Sequence, residues 1–207
     1  MSRQFSSKKR STRTRKRKPV MLIIAEGRNQ TETLYFDSFN NSKSLYTVKM
    51  AKGGNKTSPA KLLHKLEEQW NEYQLDESDG DIAFIVLDLD VDPKKAAEIK
   101  KLSEKTDFTT FIVSNPCFEV WFLLHFRYST KGYIDSESAI KDLKKYLPAY
   151  TKSSNVSVVI DDLLQDALNN AYKLEEYYNS LDYKWPSVSR NPWTDVHKVI
   201  NILLGKE

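Results

Sequence analysis

Three stretches of this chain are apolar almost without a break: VMLIIA at 20–25, IAFIVL at 82–87 and FIV at 111–113 within FTTFIVS. A strand with one face in water alternates polar and apolar residues. Continuous β-branched runs of this length instead predict strands covered on both faces, as in a parallel sheet between layers of helices. A further strand is expected in LYTVKMA at 45–51, where Tyr46, Val48 and Met50 alternate. Helical spacing fills the gaps. TETLYFDSF carries Leu34, Tyr35 and Phe39, and Ser58 and Pro59 open a helix to about Gln74 with a stripe of Leu62, Leu63, Leu66 and Trp70. A third helix runs from Pro93 to about Lys105. Strands alternating with helices of this length imply βαβ crossovers, hence an α/β fold with a mostly parallel central sheet.

The second of the three runs ends unusually, in FIVLDLDVDPKK, with acids at every second position: Asp88, Asp90 and Asp92. Alternate residues of an extended chain share one face about 6–7 Å apart. Carboxylates so placed repel one another, and either a shared proton or a cation offsets the repulsion. Oxygen donors of this kind suit Mg²⁺ or Mn²⁺. A solvated strand end is the plainer reading, and Asp92 followed by Pro93 also reads as a helix cap with proline at the first helical position. Glu26-Gly27 follows the first strand directly. In open parallel sheets, sites form beyond the carboxyl ends of the strands, so if the first and third strands are neighbours, Glu26 meets Asp88 and Asp90 there. That convergence favours the metal reading for these three acids.

Other stretches carry weaker signals. KGGNKTS has glycines between a strand and a helix, with Lys52 and Lys56 beside them. It reads either as an ordinary loop or as a phosphate-contacting one, and it does not match the GxxxxGK[ST] pattern of nucleotide hydrolases. From Asn115 the character changes. NPCFEVWFLLHF offers Asn115 as an N-cap and Pro116 at the first helical position of a helix that is apolar nearly all round and therefore buried. Within it, Glu119 must face the site or pair with a cation such as Arg127. His125 reads as a core histidine, and Cys117 as a small buried hydrophobe. Further helices are expected near 136–147, 156–180 and 194–204, as a helical extension packed on the α/β core without a dividing linker.

Charge is unevenly spread. Residues 1–18 hold nine of the 32 Lys and Arg residues and no acid, so the remainder carries 23 basic against 28 acidic side chains, a net of −5. The tail is too polar to fold alone and reads as disordered, either an arm for nucleic-acid phosphates or a solvated terminus. No apolar run reaches the 18–20 residues of a membrane span, and VMLIIA lacks the small-residue cleavage site of a secretory signal. Cys117 is the single cysteine and the three histidines lie far apart, so any metal must be held by oxygens; the lone thiol fits a reducing cytoplasm. The expected organisation is a basic tail at 1–18 and one domain at 19–207, with the α/β core to about 114 and the helical part beyond.

AEG followed by TETLYF, the aspartate-rich strand, SNPCFEVWFLLHF and NPWTDVHKVI together resemble the RloB family of bacterial proteins over about residues 20–204. That family looks related to Toprim-type nucleases and is linked to abortive-infection and antiphage systems, often beside an ABC-like ATPase. The resemblance implies a Toprim-like fold, Glu26 as the acid that shuttles a proton, and Asp88 and Asp90 as Mg²⁺ ligands with Asp92 as an outer one. It also implies Glu32 as the second acid of the Glu-Gly motif, and Asn191 and Thr194 as structural residues. The function it implies is a metal-dependent nuclease acting on nucleic acid, RNA or tRNA before DNA. The rival expectation is a non-catalytic nucleic-acid-binding or adaptor subunit of an ATPase complex.

Overall fold

In a computed structural model of the protein, the described residues are 17–27, 30–41, 44–54 and 58–206. Strand β1 (Val20–Ala25) leads through α1 (Gln30–Asp37) to β2 (Thr47–Met50). Then come α2 (Pro59–Glu72), β3 (Ile82–Asp88), α3 (Pro93–Ser103) and β4 (Thr109–Asn115). The rest is α4 (Glu119–Phe126), α5 (Ser136–Leu143), α6 (Ser157–Ile160), α7 (Leu164–Ser180), β5 (Trp193–Thr194) and α8 (Val196–Leu204). The sheet order is β2-β1-β3-β4-β5, parallel except for the β4–β5 pair. This is the α/β, mostly parallel architecture that the apolar runs predict.

Each central strand feeds two cores by the two-residue alternation of its side chains. Met21, Ile23 and Ala25 of β1, with Phe84 and Val86 of β3, join α1, α4, α7 and α8. Leu22 and Ile24, with Ala83, Ile85 and Leu87, face α2 and α3. The first core also takes in Trp121, Phe122, Leu174 and Trp193, so the helical part shares one apolar interior with the sheet. Asp88 has the same parity as Phe84 and Val86, which aims it at the α1 and α4 layer. From β1 the chain goes out to β2 on one side and later returns to β3 on the other. The switch point, where α/β sheets open a crevice, therefore lies between β1 and β3.

Several expectations need correction. Asn115 does not cap a helix: it is the last residue of β4, a cis Asn115–Pro116 bond follows, and α4 begins only at Glu119. Its side chain instead donates to the Val188 and Arg190 carbonyls (3.2 and 2.7 Å) and accepts from Val91 N–H (3.2 Å). The part beyond 114 is not purely helical, because Trp193–Thr194 adds an antiparallel strand to β4. The helix expected from 194 starts at Val196, whose N–H reaches the Thr194 hydroxyl at 3.3 Å. A 3₁₀ turn at Asp161–Leu163 splits the helix expected over 156–180. Arg17, within the stretch expected as the basic tail, reaches the buried Asp81, whose carboxylate accepts from Val20 and Asp76 N–H (2.8 and 2.9 Å). Residues 1–16 lie outside the described residues. No helix among the described residues is long and apolar enough to cross a membrane.

Candidate active site

The strands fix the first two acids. β1 and β3 pair in parallel with Ala25 opposite Val86, and Glu26 N–H still donates to the Val86 carbonyl at 3.2 Å, so Glu26 and Asp88 emerge side by side. Gly27 then takes φ +72°, a left-handed turn that glycine allows without strain, and leads toward α1. β3 ends at Asp88. Asp90 and Val91 adopt φ of +52° and +56°, so the acidic ladder does not continue as a strand. The turn is held by Asp90 N–H on the Pro116 carbonyl (3.0 Å) and by the Asn115 side chain on Val91 N–H. Asp92 caps α3, accepting from Lys94 N–H at 2.8 Å.

These elements surround a cavity of about 340 Å³ lined by Glu26, Glu32, Asp88, Asp90, Glu119 and Lys152, with Gly27, Gln30 and Thr31. Glu32 comes from the first turn of α1 and Glu119 from the first turn of α4, so two helices add acids to those of the two strands. Glu119 is buried and accepts from the Tyr150 hydroxyl at 2.8 Å; Arg127 is committed instead to Asp142.

Two of these five carboxylates, Asp88 and Glu32, are held back from ionising. Burial first, then the charges of Glu32, Glu119 and Asp90, raise the Asp88 carboxyl well above the ordinary range. Burial, with Glu119 and Glu26 adding to it, pushes Glu32 up to about 7. Two ammonium groups answer. Lys95, in the first turn of α3, donates to Glu26 at 2.6 Å and to Asp90 at 3.0 Å. Lys152 faces the cavity: burial works against its charge, but Glu119 and Asp88 outweigh that and hold its pKa above the usual value. Ser136, opening α5, donates to Asp90 at 3.2 Å.

The donor chemistry fits a hard divalent cation. The groups are carboxylate oxygens, their mutual repulsion is only partly neutralised, and the Lys95 ammonium already stands in for a cation between Glu26 and Asp90. Among the described residues, no three His, Cys, Asp or Glu side chains form a group that could hold a metal ion as they stand, so the acids share the cavity without converging on one point.

Among the described residues, the others weighed from the sequence do not line the cavity. Lys52 is exposed past the end of β2, its N–H on the Gln69 side chain at 3.0 Å, and does not line the cavity. Lys56 is outside the described residues. Cys117 is buried, and its thiol is pushed well up by burial and Glu119. His125 is buried with Nδ1 on the Trp121 carbonyl at 3.0 Å, and burial lowers its pKa to about 4. The folded chain thus keeps the imidazole neutral down to about pH 4, whereas the unfolded chain binds a proton below about 6.5. Stability from this group is complete above the unfolded value and is lost as pH falls from about 6.5 through 4, by about 3 kcal/mol at most. Urea unfolding at pH 7.5 and 4.5 checks this, because His125→Leu is expected to remove that part of the acid sensitivity.

Sequence reasoning missed Lys95, Lys152 and Ser136. Nothing in their local patterns marks them, since only the packing of α3, the loop after α5 and α5 itself brings them to the acids. In the comparison with known proteins, the model of the family described as RloB-like protein matches residues 21–203. No curated protein and no solved structure matches the chain.

Proposed function

The chain belongs to the RloB-like family, and on that footing we propose that the acid cavity is the active site of a metal-dependent nuclease. It would hydrolyse phosphodiesters of RNA in preference to DNA, in the bacterial cytoplasm, as the effector of an antiphage system restrained by an ABC-like ATPase partner. The observation that carries this reading is the gathering of Glu26, Glu32, Asp88, Asp90 and Glu119 in one cavity at the switch point of the sheet.

Asp88 and Asp90 would hold Mg²⁺ or Mn²⁺, with Glu26 alongside. When bound, the metal supplies positive charge to a non-bridging phosphate oxygen and to the pentacovalent transition state. Glu26, half-exposed at the mouth of β1, takes a proton from the attacking water or returns one to the leaving oxygen. Lys95 holds Glu26 and Asp90 in place before substrate arrives. Lys152, which lines the cavity, presents a second cation to the phosphate. Asp92 serves through its cap, which sets the start of α3 and hence Lys95.

The test is incubation of the purified chain with total cellular RNA and with plasmid DNA, in Mg²⁺, in Mn²⁺ and in EDTA. Metal-dependent fragments that disappear in Glu26→Gln support the reading. Fragments produced equally by Glu26→Gln or in EDTA overturn it.

A further inference from the structure

An acid cavity repels the polyanion it is meant to cut, so a nucleic-acid strand needs neutralising groups close by. We propose that the second cavity, on the far side of the first turn of α5, is the clamp for the sugar-phosphate backbone of that strand. The inference rests on the nuclease reading and names where its substrate is held.

This cavity, about 300 Å³, is lined by Lys131, Tyr133, Ile134, Ser138, Lys141 and Lys145, together with Gly132 and Asp142. Asp142 is its one carboxylate and is already spent: it pairs with Arg127, accepts from the Tyr133 hydroxyl at 2.7 Å and from Lys145 at 2.8 Å. Among the described residues Lys131 and Lys141 have no ion-pair partner, and both are exposed. The floor beneath them is fixed, because the Asn191 side chain accepts from Tyr133 N–H (2.9 Å) and donates to its carbonyl (2.7 Å). Ile134, 85% exposed, adds an apolar edge on which a sugar or base can rest.

α5 links the two cavities through its side chains. Ser136 touches Asp90 on one side, and Ser138, roughly 3 Å further along the helix by its rise per residue, lines the basic cavity on the other. A strand laid across this turn therefore meets acids at one phosphate and ammonium groups at the neighbouring ones.

The experiment is fluorescence anisotropy of a labelled single-stranded RNA with the full chain, in EDTA, across a KCl series. Lys131→Gln with Lys141→Gln is expected to weaken binding about tenfold near physiological salt and to reduce the slope of log affinity against log salt by about 1.4, two phosphate contacts at about 0.7 each. Lys100→Gln with Lys101→Gln, the same charge change on α3, is expected to leave both unchanged. Equal losses in the two variants, or affinity and slope unchanged in the first, overturn the clamp. The readout needs no cleavage. A chain that binds through these lysines yet cuts nothing in Mg²⁺ refutes the nuclease reading and leaves the clamp standing, while cleavage with unchanged binding refutes the clamp alone.

Discussion

Asp88→Asn is expected to lower cleavage by about 10²–10³-fold, the range for removing a group that stabilises transition-state charge, and to raise the melting temperature in EDTA by a few degrees. The two effects have one cause. Asp88 sits where burial and three neighbouring acids work against its ionisation, so near neutral pH its charge is a burden on the folded state. An amide of the same shape removes that charge and gains about 0.5–2 kcal/mol, as trading an active-site strain for stability commonly does. Because the folded-state pKa is raised, acidification relieves the same burden in the parent, and its stability deficit relative to Asp88→Asn is expected to shrink as pH falls. Thermal melts of parent and variant in EDTA at pH 8 and 5.5, beside a cleavage assay, check both halves. A variant that loses activity by losing stability would refute the account of Asp88 as a strained functional acid.

Asp195 is the opposite case, and Asp195→Ala is expected to cost about 3–5 kcal/mol. It is fully buried, yet its carboxylate accepts from Val113 N–H (3.2 Å), Trp185 Nε1 (2.7 Å) and Lys198 Nζ (2.7 Å). Its own N–H donates to the Val113 carbonyl at 2.9 Å. One residue thereby ties β4, the loop carrying Trp185 and the start of α8 together, and truncation leaves the Val113 N–H and Trp185 Nε1 without their acceptor. Denaturant unfolding should show a lower midpoint with an unchanged slope, and the melting temperature should fall by about 10 °C or more for a chain of this size. Two aspartates in one fold thus answer substitution with opposite signs, because one has its hydrogen bonds satisfied and the other faces its own kind.

Much of the fold is legible in the sequence because the apolar runs carry it. VMLIIA and IAFIVL can be buried on both faces only in a sheet covered by helices, and that fixes the layers and points Asp88 into one of them. The acids at strand ends are legible for the same reason, since parallel strands deliver their last residues to one edge. What is not legible depends on contacts distant in sequence. Asp90 is in register with Asp88 by counting, but the Asn115 side chain and the Pro116 carbonyl draw it into a left-handed turn. The short strand β5 has two residues, too few to leave a periodicity, and exists only because β4 offers it an edge. Lys95 and Lys152 lie in segments whose local pattern is that of any solvated helix face or loop. Their meaning comes from the carboxylates that α1, α4, β1 and β3 place opposite them.

The account turns on whether this crowd of acids takes a divalent cation, and the melting temperature of the full chain in millimolar Mg²⁺ or Mn²⁺ against EDTA measures that most directly. At about a hundredfold excess over Kd a bound ion adds about 2.7 kcal/mol, a rise of about 5–10 °C for a chain of this length. The parent is expected to show it, and Asp88→Asn with Asp90→Asn is expected to show none. No rise in the parent, or the same rise in both, would contradict a metal site in the cavity between β1 and β3.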